Sequence, residues 1–240
     1  MTELLHMKDN YLKEFDATVE ASGEDYVILD RTAFYPLGGG QSSDTGTISD
    51  GTRDLLVREV RKENGDVRHF LKGEPFSQGT EIHGVIDWER RYECMRFHTV
   101  QHVLSRYLSI HYGVETVGNM IKPGESRADY SPLDSFDDEM KREVEAGVNA
   151  VLEKNLEVRI VFMERPQAIS YLKEHGYPTR YLEMVPESVT NFRVLLIGDY
   201  DAASCAGTHV SNTSEIGRIS IGKSKNVGAG KRRIYFHLTE

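Results

Sequence analysis

Along the first 85 or so positions, apolar residues fall on alternate positions in short runs. Phe15 to Ala21, Tyr26 to Leu29, Leu55 to Val60, Val67 to Leu71 and Glu81 to Ile86 are rich in β-branched and aromatic side chains. The turn pairs Ser22-Gly23, Asn64-Gly65 and Gln78-Gly79 separate them. Short strands at this spacing predict a small all-β barrel or sandwich. The period then changes. From Arg90 to Tyr112, apolar positions recur at helical intervals (Tyr92, Met95, Val103, Tyr107, Ile110), with Gly113 as the C-terminal cap. A second helix is expected from Ser135 as its cap, with acids in the first turn, through Met140, Val144, Val148 and Val151. Leu156 to Phe162 alternates like a strand, and a short helix runs from near Pro166 to Gly176. Phe192 to Ile197, Ile216 to Ile221 and Arg233 to Leu238 complete the predicted strands.

Helices grouped between strands, without regular βαβ alternation, predict an α+β protein. The expected division lies near Trp88. Residues 1–88 form the small barrel, and residues 89–240 form a domain whose antiparallel sheet is flanked by helices.

Composition changes this picture little: 39% hydrophobic and 28% charged residues are ordinary for a globular chain. No run approaches the roughly 18 apolar residues of a membrane span, and the first residues do not read as a hydrophobic signal segment. Two cysteines make a disulfide framework implausible and point to a reducing, cytoplasmic setting. A net charge of −9 argues against wrapping nucleic acid over the whole surface. The basic residues are nevertheless segregated. Ile216 to Thr239 contains no acid and carries Arg218, Lys223, Lys225, Lys231, Arg232 and Arg233. Arg90, Arg91 and Arg96 form a second group. Such a local face suits a polyanion docked at one place, or is simply a solvated sheet edge.

The chemistry lies in two spacings, His98-x3-His102 and Cys205-x3-His209. On a helix, residues four apart share a face, so His98 and His102 can reach one ion. Three imidazoles and one thiolate suit a single tetrahedral zinc. Cys94, one turn before His98, is a further candidate ligand or a disulfide partner of Cys205, but reads best as a buried helical thiol. Thr99 follows His98, so the HExxH of zinc proteases is absent, as is the paired motif of nucleobase deaminases. Cys205 to His209 lies between strands and reads as a turn, with Gly207 free to take positive φ.

Tyr35-Pro36-Leu37-Gly38-Gly39-Gly40-Gln41 joins two strands of the barrel. Without a following Gly-Lys-Ser/Thr it is not a phosphate-binding P-loop. Three glycines in a row mark close main-chain approach or flexibility, so the loop is either a mobile hairpin tip or a lid over the metal site.

Taken together, these residues resemble one family. The two paired motifs, the run Ala206-Gly207-Thr208-His209-Val210, Phe34 to Gln41, and Asn119-Met120-Ile121-Lys122-Pro123-Gly124 are similar to the free-standing alanyl-tRNA editing proteins, AlaX, in their medium-length form. Leu37 and Ala206 depart from the residues usual at those positions. The paired motifs alone are shared with threonyl-tRNA synthetase editing domains; the glycine loop with Gln41 points to the alanyl branch.

The resemblance implies hydrolysis, in trans, of the ester joining Ser, or Gly, to alanine tRNA. It implies one zinc per chain on His98, His102, Cys205 and His209, and substrate contacts from Gly38, Gly39, Gly40 and Gln41. The hydroxyl of Ser requires a buried polar partner, for which Gln41, Asn119 and Thr208 are candidates. Lys223, Lys225, Lys231, Arg232 and Arg233 are candidates for the tRNA backbone. A closed zinc-stabilised tRNA-binding module, a metallohydrolase of small esters, and an editor of Ser on threonine tRNA are the competing readings.

Overall fold

Alternation of buried and exposed residues closes the first strands on themselves. In a computed structural model, which describes residues 2–179, 182 and 185–239, the chain opens with β1 (Glu3–Leu4) and a 3-10 turn over Leu5–Met7. Next come β2 (Glu14–Ser22), β3 (Tyr26–Leu29), β4 (Arg31–Thr32), β5 (Gly46–Ser49), β6 (Asp54–Glu63), β7 (Asp66–Lys72) and β8 (Glu81–Ile86). β1 pairs with β4 in parallel, and the others form a closed antiparallel barrel in the order β2-β3-β7-β6-β5-β8. Every second residue of β8 is buried, and Val19, Val27, Leu29, Ile48, Val57, Val60 and Phe76 fill the interior. The five predicted barrel strands are all present; β5 has too few apolar residues to stand out by itself.

A helix, α1 (Trp88–Tyr112), leaves the barrel directly. The Asp87 side chain accepts from Arg90 N–H at its start, and Gly113, at φ 66°, ends it. It is buried on more sides than its sequence suggests, because Arg91, His98, Thr99 and Gln101 lie inside with the apolar residues. Around it stand β9 (Glu115–Met120), β10 (Ser126–Ser131), α2 (Asp138–Leu152), β11 (Val158–Glu164), α3 (Arg165–Glu174), β12 (Asn191–Ile197), β13 (Asp201–Ser204), β14 (Arg218–Gly228) and β15 (Lys231–Thr239). One antiparallel sheet has the order β14-β15-β10-β9 and another β11-β12-β13. With three helices among the described residues, the fold is α+β.

Two local expectations need correction. The cap of α2 is Asp137, whose carboxylate accepts from Met140 N–H at 2.9 Å, and not Ser135. Leu133 and Phe136 are both drawn into the core, which keeps this connection extended for two more residues. Nor are Arg90, Arg91 and Arg96 a basic face. Arg90 donates to Ser43 O and Arg96 to Ile216 O, while Arg91 is fully buried.

Arg91 ties the helix to the barrel. Its guanidinium forms an ion pair with the buried Asp44 and donates to the carbonyls of Asn10 and Ala33. Asp44 also accepts from Tyr35 N–H at 2.6 Å. Removing one partner of such a pair leaves a charge stranded in the interior. Asp44→Ala is therefore expected to lower unfolding free energy by about 3–5 kcal/mol in a urea titration. A loss below about 1 kcal/mol would mean that Arg91 finds another acceptor or water.

Candidate metal centre and adjoining cavity

His98 and His102 project from one face of α1, and Cys205 and His209 come from the turn after β13. Their four ligand atoms all lie within 4.8 Å of one another. Cys205 Sγ is 3.6 Å from His98 Nε2 and 3.3 Å from His209 Nε2. Bond lengths of about 2.0–2.1 Å to nitrogen and about 2.3 Å to sulfur put tetrahedral neighbours about 3.5 Å apart, so these separations fit one ion.

The opposite side of each imidazole is occupied. Gln41 Oε1 accepts Thr208 N–H at 3.1 Å, so it is an acceptor towards His98 Nδ1 as well, at 2.7 Å. Thr99 donates its hydroxyl to Met95 O at 2.9 Å, leaving lone pairs for His209 Nδ1 at 3.3 Å. Asp201 Oδ2 lies 3.4 Å from His102 Nδ1. Every Nδ1 thus has an acceptor for its proton, which leaves Nε2 as the atom that would meet a cation; at His102 the cation would displace a second proton, shared with Cys205.

Electrostatics favour the same state at the sulfur. Burial alone would raise the Cys205 pKa, but the imidazoles of His98 and His209, with the bonds from His102 and His209, hold it well below the ordinary thiol value. Gly207 N–H also points at Sγ, 3.4 Å away. Burial pushes His209 down to about 3 and so keeps it neutral. For His102, burial is overridden by Asp201 and Cys205, which carry it up to about 10. Cys94 stays apart as a free buried thiol, raised to about 12 chiefly by burial.

Gly207 is not among the residues with positive φ. Its missing side chain has another cause: a Cβ there would stand 2.1 Å from His98 Cε1. The turn passes so close to the imidazole that only hydrogen fits.

The glycine loop is a tight turn docked against Ile121, which follows β9. Gly38 and Gln41 exchange backbone hydrogen bonds of 3.2 and 2.9 Å around Gly39 and Gly40, both at positive φ. Gly40 O then accepts from Ile121 N–H, and Ser42 N–H donates to Ile121 O. Gly38, Gly39 and Gly40 are exposed, whereas Gln41 is fully buried, its Nε2 donating to Thr208 Oγ1 at 2.8 Å. Of the three candidates for meeting a hydroxyl, Gln41 and Thr208 are thus engaged with each other and with His98. Asn119 differs, because it lines a cavity.

That cavity, about 660 Å³, lies between α1, β9 and β13, and His102, Asp201 and Ser204 form the end nearest the metal cluster. Gln101, Ser105, Thr116 and Asn119 form a hydrogen-bonded polar wall, Arg106 and Glu115 add charge to the lining, and Val114, Val117 and Leu182 are among its apolar residues.

The basic candidates lie elsewhere, on the β14–β15 hairpin. Arg233 is held by both oxygens of Asp129, at 2.7 and 2.8 Å, and Arg232 donates to Asp134 O. Lys223, Lys225 and Lys231 remain exposed, the first two with Nζ 4.5 and 5.9 Å from the centre of the Tyr235 ring.

Comparison with known proteins agrees with this architecture. Residues 3–90 match the family model of class II (A) tRNA synthetases, and residues 192–235 match the threonyl and alanyl tRNA synthetase second additional domain. The chain is 38% identical to the alanyl-tRNA editing protein AlaX-M of Methanosarcina barkeri, with all of both chains covered. The chain belongs to the AlaX-M family of alanyl-tRNA editing proteins. The AlaX-M protein of Saccharolobus solfataricus is 34% identical over 98% of each chain. The alanine–tRNA ligase of Pyrococcus furiosus is 37% identical over the whole of this chain and 26% of its own length.

For this AlaX-M family member, the sequence motifs name the four candidate ligands but not what orients them. Thr99 sits beside His98 in the motif, and Arg91 shares its helical face seven residues earlier, so both carried a readable signal. Asp201, Asn10 and Arg193 did not: only the folded chain brings them to the ligands.

The glycine turn yields a contrast between neighbours. A Cβ at Gly40 would stand 1.5 Å from Asn119 Oδ1, whereas one at Gly39 meets nothing nearer than Tyr35 Oη at 3.6 Å. Each substitution also costs about 1–2 kcal/mol for a left-handed backbone. Gly40→Ala is expected to cut deacylation at least about tenfold more than Gly39→Ala, for at least about 1.4 kcal/mol of added displacement. Equal rates for the two variants would show that the Asn119 contact is unimportant.

Proposed function

We propose that the chain is a zinc-containing aminoacyl-tRNA deacylase that clears Ser, and to a lesser extent Gly, from alanine tRNA in trans. The observation that carries this reading is a cavity with one polar wall ending at the four-ligand cluster. Its volume falls in the range of roughly 300–1,000 Å³ usual for small-molecule sites. The family names support the editing of alanyl-tRNA; the choice of Ser and the identity of the metal are the proposal's own.

His98, His102, Cys205 and His209 would hold the zinc. When bound, it supplies a Lewis-acid charge beside the cavity. Gln41, Asp201 and Thr99 keep the ligand protons on Nδ1. Asn119 offers both a donor and an acceptor to a hydroxyl, while its side-chain hydrogen bond to Gln101 Oε1 is long at 3.5 Å. A synthetase pocket sized for Ala excludes Gly or Ser by only about 10- to 200-fold, so a second site that favours the hydroxyl is needed. Burying polar groups that Ala would leave unpaired rejects Ala. We place the division of the chain near residue 88, the barrel (1–88) carrying the glycine turn and the remainder (89–240) the cavity. Lys223, Lys225 and Lys231 are proposed to meet tRNA phosphates, with Arg232 and Arg233 more committed to the fold. The setting proposed is the cytoplasm, where both thiols stay reduced; among the described residues, no helix is long and apolar enough to cross a membrane.

The test is deacylation of alanine tRNA charged with Ser, Gly or Ala, alongside Ser on threonine tRNA and a small Ser ester. Ser on alanine tRNA is expected to be cleared fastest. Chelation should abolish turnover and zinc should restore it, and Asn119→Ala should narrow the Ser-over-Ala ratio by roughly 5- to 10-fold, about 1–1.4 kcal/mol. Equal turnover of the small ester would favour a generic hydrolase, and tight tRNA binding without turnover a binding module. Full zinc occupancy in the His98→Ala, His102→Ala double variant would remove the metal site.

Neutralising Lys223, Lys225 and Lys231 to Gln is expected to weaken tRNA binding and to flatten its log–log salt slope by about 0.7–0.9 for each phosphate that no longer meets a cation. Unchanged affinity and slope would make the hairpin an ordinary solvated edge.

A further inference from the structure

The turn from Cys205 to His209 supplies two ligands, yet it is neither helix nor strand. Its shape is imposed by groups from elsewhere. Cys205 N–H donates to Arg193 O at 3.1 Å. Arg193 Nη1 donates to Cys205 O at 2.6 Å and to Gly207 O at 2.9 Å. Thr208 N–H is taken by Gln41, and His209 N–H by Asn10 Oδ1 at 2.8 Å.

Asn10 stands out in this set because it lies in the segment before the barrel, remote from every motif. It is buried, 7% exposed, and its side-chain oxygen and backbone carbonyl both accept from other elements. Its Nδ2 donates to His6 O at 2.7 Å, and its backbone carbonyl oxygen accepts from Arg91 Nη1 at 3.0 Å. Besides His209 N–H, its Oδ1 accepts from Arg193 Nη2 at 3.4 Å. Arg193 Nε in turn donates to Met7 O at 2.9 Å. Among the described residues Arg193 has no carboxylate partner, so this cation is satisfied by carbonyls of the ligand turn and of the N-terminal segment. A buried guanidinium in that position cannot release one set of acceptors without weakening its hold on the other.

We infer that Asn10 is a positioning residue of the metal centre. Through His209 N–H and Arg193 it sets the conformation of the ligand turn, so that metal affinity and docking of residues 5–11 are coupled. Coupling of this kind is reciprocal: whatever the docked segment contributes to metal affinity, the metal returns to the docking of the segment. The inference rests on the four residues holding a metal, but not on the deacylation reaction.

The experiment measures zinc affinity by chelator competition, and hydrogen exchange of residues 5–11 with and without zinc, on the full chain. In the wild type, zinc is expected to slow exchange in that segment. Asn10→Ala should raise the zinc dissociation constant by about 10- to 100-fold, as loss of a residue that orients a ligand typically does, and should abolish the effect of zinc on exchange. Asn10→Asp keeps an acceptor for both His209 N–H and Arg193, and should recover most of the affinity. Thr2→Val removes a bond that lies outside residues 5–11, from Thr2 Oγ1 to Leu29 O at 2.7 Å, and touches neither that segment's contacts nor the turn. It should lower thermal stability and leave zinc affinity alone.

A wild-type zinc affinity in folded Asn10→Ala overturns the inference, as does an equal loss in Thr2→Val, which would reduce Asn10 to general stability. Should Asn10→Ala fail to fold, the wild-type exchange still decides: no response of residues 5–11 to zinc overturns it. A wild-type chain that takes up no zinc defeats the metal reading itself, and this inference with it, before any variant is compared.

Discussion

An imidazole presents its Nε2 lone pair only while its proton stays on Nδ1, and three imidazoles converge only if three acceptors hold those protons in place. Here the acceptors are Gln41, Asp201 and Thr99, for His98, His102 and His209 respectively. They belong to the glycine turn, the start of β13 and α1 itself. Much of the architecture can be understood as delivering these three groups to one point. The barrel contributes Gln41, the β11-β12-β13 sheet contributes Asp201, and the helix contributes two ligands together with Thr99.

Delivering Gln41 requires that the barrel and helix not shift. Their junction is therefore built from buried charge, Arg91 with Asp44, and a second buried cation, Arg193, joins the Cys205–His209 turn to the segment before the barrel. Such groups are expensive to desolvate and tolerate little displacement once each donor has an acceptor. Gly40 and Gly207 follow from the same constraint. Each marks a spot where the backbone runs against a side chain of the candidate site, Asn119 in one case and His98 in the other. The glycine turn is docked through Gln41 on His98 and through Gly40 and Ser42 on Ile121.

The cavity beside the cluster mixes apolar residues with one hydrogen-bonding wall. That mixture suits the discrimination proposed for it. An apolar pocket alone distinguishes side chains that differ by a hydroxyl only weakly, whereas polar groups left unpaired by the wrong ligand distinguish them more sharply.

Sequence by itself determined the period of the strands, the long helix with its glycine cap, the α+β class and the four ligand-type residues. These are local properties: alternation, helical spacing and the chemistry of single side chains decide them. The exceptions are instructive. The cap of α2 moved from Ser135 to Asp137 because Leu133 and Phe136 were needed in the core, and Gly207 proved to be a matter of packing instead of φ. β5, β9, β10 and β13 are short or poor in β-branched residues; among the described residues β9 and β13 pair only with the strand next to them in the chain, and β5 and β10 are completed by the more distant β8 and β15. Tertiary structure alone decided that Arg91 is buried, that Gln41 faces His98 and Thr208, and that Asn10 and Arg193 grip the ligand turn. An amide or a guanidinium has the same composition and spacing whether it faces water or a ligand. Only the folded chain, by removing water and supplying one acceptor for each donor, gives it a role.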